Sequence, residues 1–149
     1  MFKRIMLSLA LVLAVQLIQA QEYKIITTVE SVVPGGLGRS RMIDNKENVD
    51  YRRFTTSRES GKDSDQGKVD RSEAKIDNME ETKLLNFYSM VGINFQNIAS
   101  NDAIITSKIN AMVAQGWDLA FVISGVESDS GKDDGKGLFI TRYVFKRMK

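Results

Sequence analysis

The chain has 149 residues, with 21 lysines and arginines against 19 aspartates and glutamates, and it contains neither histidine nor cysteine. Without histidine, Ser-His-Asp and Cys-His catalysis and the usual zinc and non-haem iron sites are excluded. Without cysteine there is no disulfide and no thiol to carry a lipid anchor.

Lys3 and Arg4 precede an apolar run from Ile5 to Ile18, and Ala20 closes the segment ahead of polar Gln21 and Glu22. That layout is a cleavable export signal, although Ile18 occupies a position that usually takes a small side chain. The run is shorter than the roughly 20 apolar residues that cross a hydrocarbon core, and Gln16 interrupts it. Cleavage after Ala20 leaves a mature domain, residues 21–149, that is periplasmic or secreted and has no membrane anchor. Lys3 and Arg4 account for the whole formal charge of +2, so the mature chain is neutral. Net charge argues for a nucleic-acid partner only when the working domain carries it, and nucleic acid leaves the list of partners. The remaining length, about 129 residues, suffices for one domain held together by packing alone.

Glu22 to Val33 is rich in β-branched residues and reads as a strand. Pro34-Gly35-Gly36 ends it in a turn, and Leu37 to Ile43 returns as a short second strand. Residues 44–81 hold eleven acids and eight bases and few large apolar side chains, the composition of a solvated insertion. Val49, Tyr51 and Phe54 are candidates for a short strand near its start, and Glu59 to Gln66 has too little apolar surface to offset the entropy of ordering.

Leu84 to Phe95 suggests a largely buried strand. An amphipathic helix follows, capped by Ser100 or Asn101, with Asp102 near its positive end and Ile105, Ile109, Met112 and Val113 along one face. Gly116 supplies the left-handed residue that stops it. Trp117 to Val126 forms the next strand, placing Trp117, Leu119, Phe121 and Ile123 on one face, and Leu138 to Lys146 forms the last. The polar, glycine-rich stretch Glu127 to Gly137 joins them as a long hairpin connection.

The run from Lys108 to Leu119, which ends in Gly116-Trp117-Asp118-Leu119, and the closing Tyr143-Val144-Phe145-Lys146-Arg147 resemble a small uncharacterised bacterial domain family. Its mark is a helix ending in Gly-Trp-Glu-Leu, then a hairpin closing on Phe-Lys-Arg, after an opening strand like Tyr23-Lys24-Ile25. Asp118 stands here in place of the family's Glu, and a long stretch from Pro34 to about Asn101 separates the first strand from the helix. The resemblance implies a fold and carries no activity with it.

Two clusters are candidate sites. In Pro34–Arg41, Gly35, Gly36 and Gly38 would let backbone N–H groups approach an anion that Arg39 and Arg41 hold bidentately, although the spacing fits no phosphate-binding fingerprint and a structural turn has the same composition. Glu127, Asp129, Asp133 and Asp134 gather hard oxygens but lack the order of a calcium loop, and we expect a solvated tip with no metal. Lys146, Arg147 and Lys149 read as a solvated chain end. Glu80 and Glu81, as neighbours on a strand, would point to opposite faces.

The expected architecture is α+β: an antiparallel or mixed sheet of four to five strands with one helix on one face. Trp117, Ile105, Ile109, Val113, Phe121 and Phe145 are the expected core, with Met112 and Tyr143 beside them. No catalytic constellation and no cofactor motif is present. The leading functional expectation is a non-catalytic binding or structural domain, whose partner is an envelope or extracellular protein, a small anionic ligand, or a second copy joined at a sheet edge. The alternative is a hydrolase or lyase using carboxylate or lysine chemistry, with Arg39 and Arg41 orienting an anionic substrate.

Overall fold

The computed structural model of the protein describes residues 20–33, 40–127 and 137–148. Residues 1–19, which hold the expected export signal, residues 34–39 with the expected turn, residues 128–136 and Lys149 lie outside the described residues. In chain order the elements are β1 (Gln21–Ser31), β2 (Arg41–Asn45), β3 (Met79–Lys83), β4 (Tyr88–Ser89), β5 (Gly92–Ile93), α1 (Phe95–Ala114), β6 (Asp118–Glu127) and β7 (Leu138–Met148).

β1 is the middle strand of a five-stranded antiparallel sheet ordered β3-β2-β1-β7-β6, and β4 and β5 form a separate small hairpin. Its β-branched stretch pairs with β7 along its whole length, from Gln21 opposite Met148 to Ser31 opposite Leu138. The fold is α+β, with one main helix packed against the sheet.

The helix packs on one face only. Ile26 of β1, Met42 of β2 and Phe145 of β7 meet Leu84, Met112 and Trp117 in the core, with Ile104, Ile109 and Tyr143 against them. Its C-terminal end is fixed by two backbone bonds, Gly116 N–H to the Val113 carbonyl (2.9 Å) and Trp117 N–H to the Met112 carbonyl (3.1 Å). Gly116, at φ +81°, takes the left-handed conformation this closure requires. The same closure drives Trp117, 5% exposed, into the core beside Met112.

Several expectations need correction. The helix starts at Phe95, where Asn94 Oδ1 accepts the Asn97 N–H at 3.1 Å. Asn101 is no cap: it lies fully buried inside the helix, its Oδ1 accepting the Leu85 N–H and its Nδ2 donating to the Leu85 carbonyl and to Glu30 Oε1, each at 2.8 Å. One side chain thus satisfies both backbone groups of Leu85, as a neighbouring strand would. Leu84 to Phe95 is not a buried strand. Only Leu84 is buried, and the chain then leaves the sheet to form the β4–β5 hairpin, whose tip residue Val91 is 97% exposed.

Val113 is 54% exposed, because one residue beyond buried Met112 is about 100° further round the helix. Phe121 is 63% exposed, for a different reason. Leu119 lies opposite Phe145 and Phe121 opposite Val144, so an irregularity at Ala120 inserts one extra residue between them. This bulge reverses the facing of the strand, and Phe121 and Ile123 point away from the helix. Val49, Tyr51 and Phe54 form no strand: Asp50 Oδ1 accepts the Arg52 N–H at 3.1 Å and starts a 3-10 turn over Tyr51–Phe54. A second such turn spans Asp65–Lys68. The end of this polar stretch supplies β3, an edge strand whose five residues are all exposed.

Trp117→Ala is expected to destabilise the protein by about 3–5 kcal/mol, whereas Val113→Ala should stay within about 0.5 kcal/mol of the parent. Denaturant melts of the two variants side by side check this. A Trp117 variant as stable as the Val113 variant would contradict the core assignment.

Candidate functional site

Arg41 Nη1 lies 2.6 Å from Glu81 Oε1, across the β2–β3 pair. Asp44 is three positions along the same strand and therefore on the other face. Arg41 does not converge on that carboxylate. Gly35, Gly36, Gly38 and Arg39 lie outside the described residues. Next to them in sequence, buried Ser40 helps tie three stretches of the chain together, 31–33, 40 and 84–86. Its hydroxyl accepts the Ser31 N–H (2.9 Å) and donates to Asn86 Oδ1 (2.6 Å), while Asn86 Nδ2 donates to the Val33 carbonyl (3.2 Å) and the Leu84 N–H to the Ser40 carbonyl (3.0 Å).

Glu127 ends β6, while Asp129, Asp133 and Asp134 lie outside the described residues. Among the described residues no group of three carboxylates comes together. Glu80 and Glu81 do face opposite ways, one toward Lys46 and the other toward Arg41.

The best-built polar constellation was not singled out in the sequence. Asp44, whose side chain is 3% exposed, receives Lys108 on Oδ2 at 2.6 Å, Lys46 on Oδ2 at 2.8 Å and Lys24 against Oδ1 at 2.8 Å. The Lys24 contact is an ion pair without hydrogen-bond alignment. Glu80 adds a second, more exposed carboxylate 3.0 Å from Lys46. Burial alone would raise the Asp44 pKa, but the ammonium groups of Lys108, Lys24 and Lys46 outweigh it and hold the carboxyl at about 2. Lys46 is raised in turn, chiefly by its bond to Asp44. One carboxylate therefore joins β1, β2 and the helix.

Beside it runs an open groove of about 530 Å³ lined by Glu22, Lys24, Lys46, Glu47, Trp117 and Arg147 among others. Its charges are already engaged. Arg147 places Nε and Nη2 at 2.9 and 2.8 Å from Glu22 Oε2 and stacks 4.2 Å above the Trp117 ring centre. Lys24 and Lys46 serve Asp44, and Glu47 accepts the Asp77 and Asn78 N–H groups. Arg147 is thus no loose chain end, and Lys146 sits opposite Asp118 in the sheet. Glu30 has its carboxyl pushed up by burial, against the opposing hydrogen bond from Asn101 and with support from nearby Asp102. It serves as an anchor for that asparagine.

The other candidate surface is apolar. β6 is an edge strand with its side chains exposed on both faces. Phe121 (63%) and Ile123 (59%) stand on the open face, and Leu119, Val122 and Val126 stand exposed on the helix side, opposite Phe145, Tyr143 and Phe139. The apolar surface continues from β6 onto β7, where the Phe87 ring, at the root of the β4–β5 hairpin, packs 5.4 Å from that of Phe139. Such an arrangement supplies no nucleophile and base. It supplies an unpaired row of backbone groups flanked by apolar side chains, suited to taking another strand. A sequence signal was present in Leu119 to Val126, eight residues without a charge.

The depressed Asp44 pKa makes stability acid-sensitive. A carboxyl held at about 2 against an ordinary 3.8 stabilises the fold above the ordinary value and loses that contribution as pH falls from about 4 to 2, on the order of 2 kcal/mol. Asp44→Asn, which leaves three lysines facing an uncharged group, should cost about 3 kcal/mol at neutral pH. The deficit should shrink toward pH 2. Urea melts at pH 7, 4 and 2 check both statements, and a deficit independent of pH would refute the charge argument.

Compared with models of protein families, with curated proteins and with solved structures, the chain matches none of them.

Proposed function

We propose that this protein is a non-catalytic binding or structural domain of the bacterial envelope or secreted fraction, and that it engages a protein partner through β6. The observation that carries this reading is the state of that strand, apolar on both faces and, among the described residues, unpaired along its outer edge. Water against such a surface is replaced favourably by another polypeptide, at roughly 25 cal/mol per Å² of apolar area before the costs of association. Export rests on the layout of Lys3, Arg4, the apolar run and Ala20. Among the described residues no helix is long and apolar enough to cross a membrane.

The competing reading, a hydrolase or lyase in which Arg39 and Arg41 orient an anionic substrate, requires those arginines beside a buried carboxylate or lysine. Asp44 and its lysines stand on the opposite face from Arg41. The groove beside them is lined by charges that neutralise one another, so the geometry favours the binding role.

A photoreactive amino acid placed at Ile123, in the protein expressed at native level, should give a discrete adduct on irradiation. The same probe at Lys68, exposed in the polar stretch far along the chain, should give none. Equal labelling at both positions, or none at Ile123, would sink the proposal.

A further inference from the structure

We infer that the occupant of β6 is a second copy of this chain, paired antiparallel to β6 across a two-fold axis at Ile123, so that two five-stranded sheets join into one of ten. This rests on β6 being a docking surface, the reading proposed above, and names its partner.

The two edges of the sheet are built differently. β3, Met-Glu-Glu-Thr-Lys, presents charges along the outer edge, the usual protection against pairing with another chain. β6 has acids only at its ends, Asp118 and Glu127, with neither charge nor proline between them. An edge of that kind left open is a hazard in a protein meant to stay single.

The sequence of β6 also suits its own inverse. In a two-fold arrangement, residues that oppose each other must share a face, which puts the axis on a residue. With the axis at Ile123, that residue meets its own copy, Val122 meets Ser124 and Phe121 meets Gly125. A side chain at Gly125 would encounter open space, so each Phe121 ring can lie across the glycine of the other strand, a pairing known to support edge glycines. No like charges face each other in this central stretch. The exposed Arg142, opposite Ile123 on β7, would stand three strand spacings from its copy, about 14 Å, beyond the screening length at physiological salt. Asp118, near Glu127 of the other copy, already has Lys146 opposite it on β7.

The edge also offers apolar area. Leu119, Phe121, Val122, Ile123 and Val126 expose between 39% and 63% of their surface, on the order of 500 Å² in total. Strand pairing covers the flanks of these side chains together with the open backbone edge, so the hydrogen-bonded ladder and the cross-strand pairs carry the contact alongside apolar burial.

A chain free of cysteine allows a direct test. In the purified processed protein, Ile123→Cys should oxidise within minutes to a disulfide-linked dimer, because residues opposed in an antiparallel pair bring their Cα atoms to about 4.5–5.5 Å. Met79→Cys, on the β3 edge, should stay a single chain at least tenfold longer. Light scattering should return twice the chain mass for the parent and for Met79→Lys, and the single mass for Ile123→Lys with its far-ultraviolet circular dichroism unchanged. A parent of single mass together with slow oxidation of Ile123→Cys would overturn the inference. In that event, a photoadduct at Ile123 with a different protein would leave the binding role standing, and the absence of any adduct would remove both.

Discussion

A helix is about 10–12 Å across with its side chains, while five strands at their usual spacing span roughly 19 Å, and this difference in width decides which surfaces of the protein meet water. α1 covers the middle of one face, over Ile26, Met42 and Phe145. β6 touches the helix yet keeps Leu119, Val122 and Val126 exposed on that side, and among the described residues no helix lies on the other. The exposure of Phe121, Val122 and Ile123 is a consequence of architecture and not an accident of a single side chain. The alternation of a half-buried strand would leave polar residues on the uncovered side. β6 instead carries apolar residues both ways, the feature on which its proposed role as a docking edge rests.

Within the covered part, polar groups do much of the positioning. Asp44, on β2, takes three ammonium groups, from Lys24 of β1, from Lys46 just past the end of β2 and from Lys108 of α1. Buried ion clusters contribute little net stability, since desolvation consumes most of the Coulomb gain. They penalise misplacement, however, because a helix displaced by one turn would carry Lys108 away from a carboxylate that stays buried. Asn101 acts similarly at the other end of the helix, where it completes the hydrogen bonding of Leu85 and holds Glu30. The two clusters fix the helix in rotation and in translation. Hydrophobic contacts of Met112 and Ile109, which tolerate small shifts, could not do so alone.

The parts legible in the sequence were those set by strong local chemistry. The β-branched first strand, the glycine stop at Gly116 and the helical spacing of Ile105, Ile109 and Met112 all declare themselves within a few residues. The α+β class follows from their order. What escaped depends on contacts distant in sequence. β3 reads as part of a solvated insertion because an exposed edge strand needs no apolar residues, only a partner, and β2 is that partner. The three lysines of the Asp44 cluster are separated from it by as many as 64 positions. Asn101 mimics a helix cap because asparagine serves both roles, and only the neighbouring Leu85 backbone decides between them.

The bulge at Ala120 joins the fold to the surface it presents. In an unbroken strand, Leu119, Phe121 and Ile123 would all lie on the side of the helix, and the open face near this edge would lose its two largest apolar side chains. The extra residue keeps Leu119 opposite Phe145 while turning Phe121 and Ile123 outward. A bulge also increases local twist and disrupts the ladder where it sits, so the regular part of the edge begins after it, at Phe121. That regular part runs to Glu127 with Ser124 and Gly125 in its midst, and small residues there lower the side-chain bulk an incoming strand must accommodate. The chain thereby spends one residue of irregularity to place its apolar surface at the edge that charge does not protect.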